Sequence, residues 1–148
     1  MGVIVNATPV VPGAAEGGIV RSHLPISLWG GVDPATGVII DRRHDRCGAS
    51  IAGTVFVFPS EKGSSTGSAV LLELIRSDHA PAAIVTERLA PIVALGAIVA
   101  DELYGRSVPI LVLPEGGADG LAEGARVRIS HDGSIDVIST PRTSDAMW

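Results

Sequence analysis

The residues best suited to chemistry lie in one short run, Gly63-Ser64-Ser65-Thr66-Gly67-Ser68. It follows an apolar, strand-like segment, Val55-Phe56-Val57-Phe58-Pro59. It precedes Val70-Leu71-Leu72-Glu73-Leu74-Ile75, which is apolar at helical spacing. Hydroxyls therefore stand where a strand ends and a helix begins. Unpaired N–H groups at a helix start favour an anion. A serine in that field can hold a carboxylate, or act as a base if amides and a cation stabilise its alkoxide. The plainer reading is a polar turn whose Ser or Thr caps the helix, and on spacing alone the two weigh evenly. The chain has no Gly-x-Ser-x-Gly elbow, which argues against a self-sufficient serine hydrolase.

Two further stretches could face a substrate. In Trp29-Gly30-Gly31-Val32-Asp33-Pro34-Ala35-Thr36-Gly37, paired glycines permit close backbone approach, and Trp29 would be a packing wall or a partner contact. A rigid Gly/Pro turn explains the same residues and is favoured by spacing alone. Asp41-Arg42-Arg43-His44-Asp45-Arg46-Cys47-Gly48 is the densest charged stretch. A solvated loop is its ordinary use; the alternative is that Arg42, Arg43 or His44 binds an anion or docks a partner. His44 has no His or Cys companion at metal-ligand spacing. Cys47 reads as a small buried residue, and His23, His79 and His131 as surface or cap residues.

The elements that must position these residues follow from periodicity and breakers. Strands are expected at 17–22, 36–41, 51–58, 81–85 and 108–113, with Gly53 marking a bulge or a close approach. Helices are expected at 66–76 and 89–104, the second interrupted by Pro91 and Gly96. The alternation at 125–130, the turn at Asp132-Gly133 and the run 135–138 spell a hairpin. Together these predict one α/β domain over residues 1–148: a β-rich layered or barrel-like core with two or more helices.

Composition bounds the function. Apolar residues make up 46% of the 148 and aromatics 3%, so small aliphatics must fill the core. The net charge of −5 and the lack of a basic run disfavour nucleic acid. No stretch has the length of a membrane span. Met1-Gly2-Val3-Ile4-Val5 lacks the character of a signal peptide, so a cytoplasmic location is expected. The single cysteine, Cys47, excludes an internal disulfide and a self-contained iron–sulfur cluster.

Several motifs in order carry a resemblance. Ser27-Leu28-Trp29-Gly30-Gly31-Val32-Asp33-Pro34-Ala35-Thr36-Gly37 with Ile39-Ile40-Asp41 and His44 is similar to the aconitase X swivel domain. So are Gly63-Ser64-Ser65-Thr66-Gly67-Ser68 with Leu71-Leu72-Glu73-Leu74, then Ala80-Pro81-Ala82-Ala83-Ile84, Leu95-Gly96-Ala97-Ile98-Val99-Ala100 and Pro109. The resemblance covers roughly residues 18–113 and implies a swivelling β/β/α domain. It implies the small subunit of a heteromeric hydro-lyase that dehydrates a hydroxy acid. The large subunit would carry iron or an iron–sulfur cluster, and this chain would bind no metal or cofactor by itself. Cis-3-hydroxy-L-proline is the implied substrate of the bacterial branch, which the Trp29–His44 region resembles more; 5-phosphomevalonate is that of the archaeal branch. Ser64 takes the family's catalytic serine position, as the base that removes the proton α to the carboxylate. Gly63, Ser65, Thr66 and Gly67 would shape the carboxylate or oxyanion pocket, and Asp33 and His44 the substrate rim. A non-catalytic swivel module that binds an anion or scaffolds a partner is the rival reading.

Overall fold

A computed structural model describes residues 4–141. The reading of Met1-Gly2-Val3 as no leader therefore lies outside the described residues, as does the domain's extension over 142–148.

Eight strands form one sheet: β1 (Ile4–Asn6), β2 (Thr8–Val11), β3 (Ala15–Arg21), β4 (Val55–Phe58), β5 (Ala83–Thr86), β6 (Ile110–Val112), β7 (Arg126–Ile129) and β8 (Ser134–Ser139). Their spatial order is β1-β8-β7-β3-β4-β5-β6-β2. β3, β4, β5 and β6 run parallel, and the remaining pairs are antiparallel. The two ends of this order, β1 and β2, are separated in the chain by Ala7 alone. One residue spans only about 4 Å, so the ends of the sheet must meet, and the sheet curls into a barrel. Ala7 N–H seals the junction by donating to Gly133 O at 3.0 Å.

Alternation along the strands builds two cores. Val55 and Val57 of β4, Ala83 and Val85 of β5, and Leu111 of β6 point into the barrel, with Ile19, Val127, Ile129 and Ile135. Phe56, Phe58, Ile84 and Ile110 point the other way, under the helices. Period-two alternation is what lets one sheet serve both layers. Both phenylalanines lie in this second core, where Phe56 and Phe58 pack with ring centroids 4.7 Å apart.

Three helices cover that face. α1 (Leu28–Gly31) is a single distorted turn, with Gly30 at φ 78°. α2 (Gly67–Arg76) buries Gly67, Leu71, Leu74 and Ile75. α3 (Pro91–Tyr104) buries Val93, Ala94, Gly96, Ala97 and Ala100. The two breakers expected to weaken α3 instead fit it. Pro91 occupies the first turn, where its missing N–H costs nothing. Gly96 lies against Ser68 O and Leu71, so the absent side chain allows α3 to approach α2. Gly105 then ends α3 in the left-handed conformation.

Two expectations need correction. Residues 36–41 form no strand: only isolated bridges, Val32 to Ile39 and Val38 to Ser50, tie this segment. Gly37, at φ 79°, turns the chain there, and Ile39 is buried among the helix-side core rather than in a ladder. Residues 51–54 form a turn before β4, with Gly53 at φ 70°. The close approach falls on Gly17, whose added Cβ would lie 2.9 Å from Gly53 O. β1 and β2 had no counterpart in the sequence reading. The expected helix starting at 66 begins at Gly67, and the expected hairpin is β7–β8.

Candidate active site

The four parallel strands end at Arg21, Phe58, Thr86 and Val112. Ligands of open and curled parallel sheets gather beyond such carboxyl ends, because each following loop opens there toward solvent. Ser22, the 59–66 loop and residues 87–90 emerge at this edge.

The hydroxyl loop is built by its own backbone. Gly63 adopts φ 83°, which a side chain would resist. Ser64 Oγ accepts the Thr66 N–H at 3.0 Å, and Ser64 O accepts the Gly67 N–H at 3.1 Å. Ser68 Oγ donates to Ser65 O at 2.9 Å. Thr66 takes the N-cap position of α2 without a side-chain cap. The N–H groups of Gly63, Ser64 and Ser65 have no acceptor among the described residues. Successive free amides beside a left-handed glycine are the kind of backbone donors that can receive an anion. Ser64 is half-buried beside it, in a recess of about 10 Å³ lined also by Ser27, Leu28, Glu61, Lys62 and Gly67. Gly67 is buried, and a Cβ there would meet Ile92 Cγ2 at 3.3 Å.

Glu61, which sequence reasoning passed over, fixes this loop to α3. Its carboxylate accepts the Ile92 N–H at 2.8 Å and the Val93 N–H at 3.1 Å. It thereby supplies the cap that Ala90 cannot, at the positive end of the helix. No local signal reveals it, because Glu61 and Ile92 are 31 residues apart.

His44 is 6% exposed, and the fold uses both of its ring nitrogens. Nδ1 accepts the Arg46 N–H at 3.1 Å, which leaves the proton on Nε2, 2.9 Å from Ser22 Oγ. Ser22 Oγ in turn lies 2.8 Å from Asp45 Oδ1. Nδ1 also lies 3.4 Å from Asp45 Oδ1. Burial raises the Asp45 pKa, but the His23 N–H and the Ser22 hydroxyl outweigh it and hold the carboxyl below its ordinary value. His44 walls a cleft of about 260 Å³ together with Leu24, Pro25, Asp41, Arg43 and Lys62. Lys62 borders both this cleft and the Ser64 recess, so the two are neighbours.

Asp33 lies elsewhere. Its carboxylate accepts the Ala35 N–H at 2.9 Å, and the adjoining Pro34 O accepts from Ser77 Oγ. Ser77 caps the C-terminal end of α2, about 15 Å along the axis from the end that carries Ser64. The structure thus brings Gly63, Ser64, Ser65, Thr66 and Gly67 together, sets His44 in the adjoining cleft, and holds Asp33 apart. Trp29, expected as a wall or contact, is 58% exposed, and Cys47 is exposed rather than buried.

Among the described residues, no group of three or more His, Cys, Asp or Glu could hold a metal ion. No helix among them is long and apolar enough to cross a membrane.

A curled mixed sheet with helices on one outer face, and hydroxyls at the carboxyl edge of its parallel strands, defines a swivelling β/β/α domain. The chain belongs to the aconitase X swivel domain family, which matches residues 4–137. It is 38% identical over 142 residues to cis-3-hydroxy-L-proline dehydratase of Hypocrea jecorina, covering 96% of this chain but only 23% of that protein. It is 41% identical over 127 residues to the phosphomevalonate dehydratase small subunit of Methanothrix thermoacetophila, covering 84% of this chain and 93% of that one. The crystal structure of Thermococcus kodakaraensis aconitase X in its holo form matches with a TM-score of 0.83 at 37% identity, over 93% of this chain and 100% of that one.

Proposed function

We propose that this chain is the small, swivel subunit of a hydro-lyase that dehydrates a hydroxy acid, with Ser64 as general base. The observation that carries the reading is the set of three free amides at Gly63, Ser64 and Ser65 in the loop that carries the half-buried Ser64. Removing a proton α to a carboxylate develops charge on the carboxylate oxygens, and fixed N–H donors stabilise that charge without reorganising. The same amides favour the alkoxide of Ser64 over its alcohol. Ser65, Thr66 and Gly67 hold the loop's curvature, and Glu61 ties it to α3. His44 keeps the neighbouring loop in place through Ser22. Asp33 serves the turn that packs on the far end of α2.

An iron centre, in this reading, belongs to a larger partner subunit, where it would assist departure of the hydroxyl as a Lewis acid. The proposed substrate is cis-3-hydroxy-L-proline, giving 1-pyrroline-2-carboxylate, supported by the Hypocrea relative that matches 96% of this chain. The second reading, 5-phosphomevalonate, draws on the small-subunit relative matched along 93% of its length.

The test is reconstitution with a large aconitase X subunit. The chain alone is expected to be inactive, and the complex to dehydrate cis-3-hydroxy-L-proline. Ser64→Ala should abolish turnover with the complex intact by gel filtration. Full activity in that variant sinks the base assignment, and a wild-type complex that turns over only 5-phosphomevalonate decides for the second substrate.

A further inference from the structure

We propose that Lys62 and Arg43 form the cation pair that receives the substrate's carboxylate and hands its α-carbon to Ser64. This rests on the dehydratase reading for what the anion is, but not for where it binds.

The cations of this chain fall into two groups. Arg46 pairs with Glu123, Arg76 with Glu73, Arg106 with Asp78, and Arg126 and Arg128 with Glu16. Arg21 directs its guanidinium to the carbonyls of Ala118 and Leu121. Among the described residues, only Arg42, Arg43, Lys62 and Arg88 have neither a carboxylate nor a carbonyl partner for their charged ends. All four lie on the loops at the carboxyl edge of the parallel strands. Lys62 follows β4, Arg88 follows β5, and the 41–46 loop is bonded to Ser22 just past β3. In a chain with 16 acidic residues and 11 basic ones, unpaired cations gathered on one edge are cations left open to an outside anion.

The cleft gives that anion a place. Its volume of about 260 Å³ suits a small metabolite, and Arg43 and Lys62 both line it. His44 lines it too, but its two nitrogens are occupied by Arg46 N–H and Ser22 Oγ, so recognition falls to the flexible cations. Lys62 alone borders both the cleft and the Ser64 recess. A carboxylate held by Lys62 therefore lies at the border of the Ser64 recess, and its α-carbon is one bond away. Asp41, whose Oδ1 accepts the Arg43 N–H, supplies the one carboxylate of the cleft and faces it with a charge suited to a substrate ammonium.

The experiment separates binding from turnover. The full chain, labelled with ¹⁵N, is titrated with malonate, inorganic phosphate and L-proline at fixed ionic strength. Malonate and L-proline should shift amides in 41–44 and 61–65. Lys62→Gln and Arg43→Gln should each weaken malonate about ten-fold, the effect of losing one charge-assisted hydrogen bond. Arg128→Gln, from an ion pair outside this edge, should change nothing. In the reconstituted complex, Lys62→Gln should raise KM about ten-fold, with Lys62→Arg restoring most of the loss. Equal malonate affinity in all variants overturns the proposal, as does loss of subunit association in Lys62→Gln with malonate binding unchanged. Binding of phosphate at this edge without malonate or L-proline also overturns it. An active Ser64→Ala enzyme would instead remove the base while leaving these titrations to stand.

Discussion

The Ser64 hydroxyl has one partner among the described residues, the Thr66 N–H, and that contact is exposed. Water can replace the lost acceptor in Ser64→Ala, so its stability should fall by no more than about 1 kcal/mol. A urea titration of that variant therefore separates the proposed catalytic loss from misfolding. Asp45 is the opposite case, a residue whose charge serves the fold. Its pKa is held below the ordinary carboxylate value, so it binds its proton less readily folded than unfolded. The stability it contributes is present above the unfolded pKa of about 3.9 and is lost as pH falls through the lower folded value. Melting temperature against pH should drop on that acid limb, and Asp45→Asn should flatten the drop. An unchanged limb in the variant would mean other carboxylates carry it, since Glu16, Glu73 and Asp132 are lowered in the same direction.

Helices α2 and α3 hold the site by their contact. Gly96 is the contact point: a Cβ would lie 2.7 Å from Ser68 O and 3.2 Å from Leu71 Cβ. Alanine is intrinsically the better helix former by about 1 kcal/mol. Overpacking against backbone costs about 1–3 kcal/mol, so the clash should win. Gly96→Ala is expected to lower the melting temperature. Because Ser68 sits in the first turn of α2, relief of the clash shifts the Ser64 loop, and kcat should fall as well. A more stable, fully active Gly96→Ala would show that the helices can separate without cost. The exposed apolar side chains of α3, Leu95, Ile98 and Leu103, leave its outer face uncovered among the described residues.

At the scale of the molecule, closure of the barrel depends on Gly133. Its φ is 92°, and a Cβ there would run into Ala7 O and lie 2.8 Å from Pro9 Cδ. Gly133→Ala should cost at least about 2 kcal/mol, combining left-handed strain with a backbone clash. Gly18→Ala, in β3 with open space around it, is the matched control and should be close to neutral in a urea titration. Equal midpoints for the two would mean the junction at Ala7 does not hold the sheet ends together.

What the sequence by itself determined is mostly local. Alternation and turn chemistry specify β7, β8 and the hairpin, apolar spacing specifies α2 and α3, and the ordered motifs specify the family. The loop at Gly63–Gly67 was legible for the same reason, since its hydroxyls and glycines act on their own backbone. The tertiary structure decided whatever depends on distant partners. β1 and β2 are too short to announce themselves and exist because the sheet ends meet at Ala7. Segment 36–41 has the composition of a strand but finds only isolated bridges, to Val32 and Ser50, in place of a ladder. Glu61 caps a helix 31 residues away, and His44 spends its ring on Ser22. Asp33 and Ser64 share a motif set but lie at opposite ends of α2. Burial and pairing over such separations follow from the path of the whole chain, which no window of residues contains.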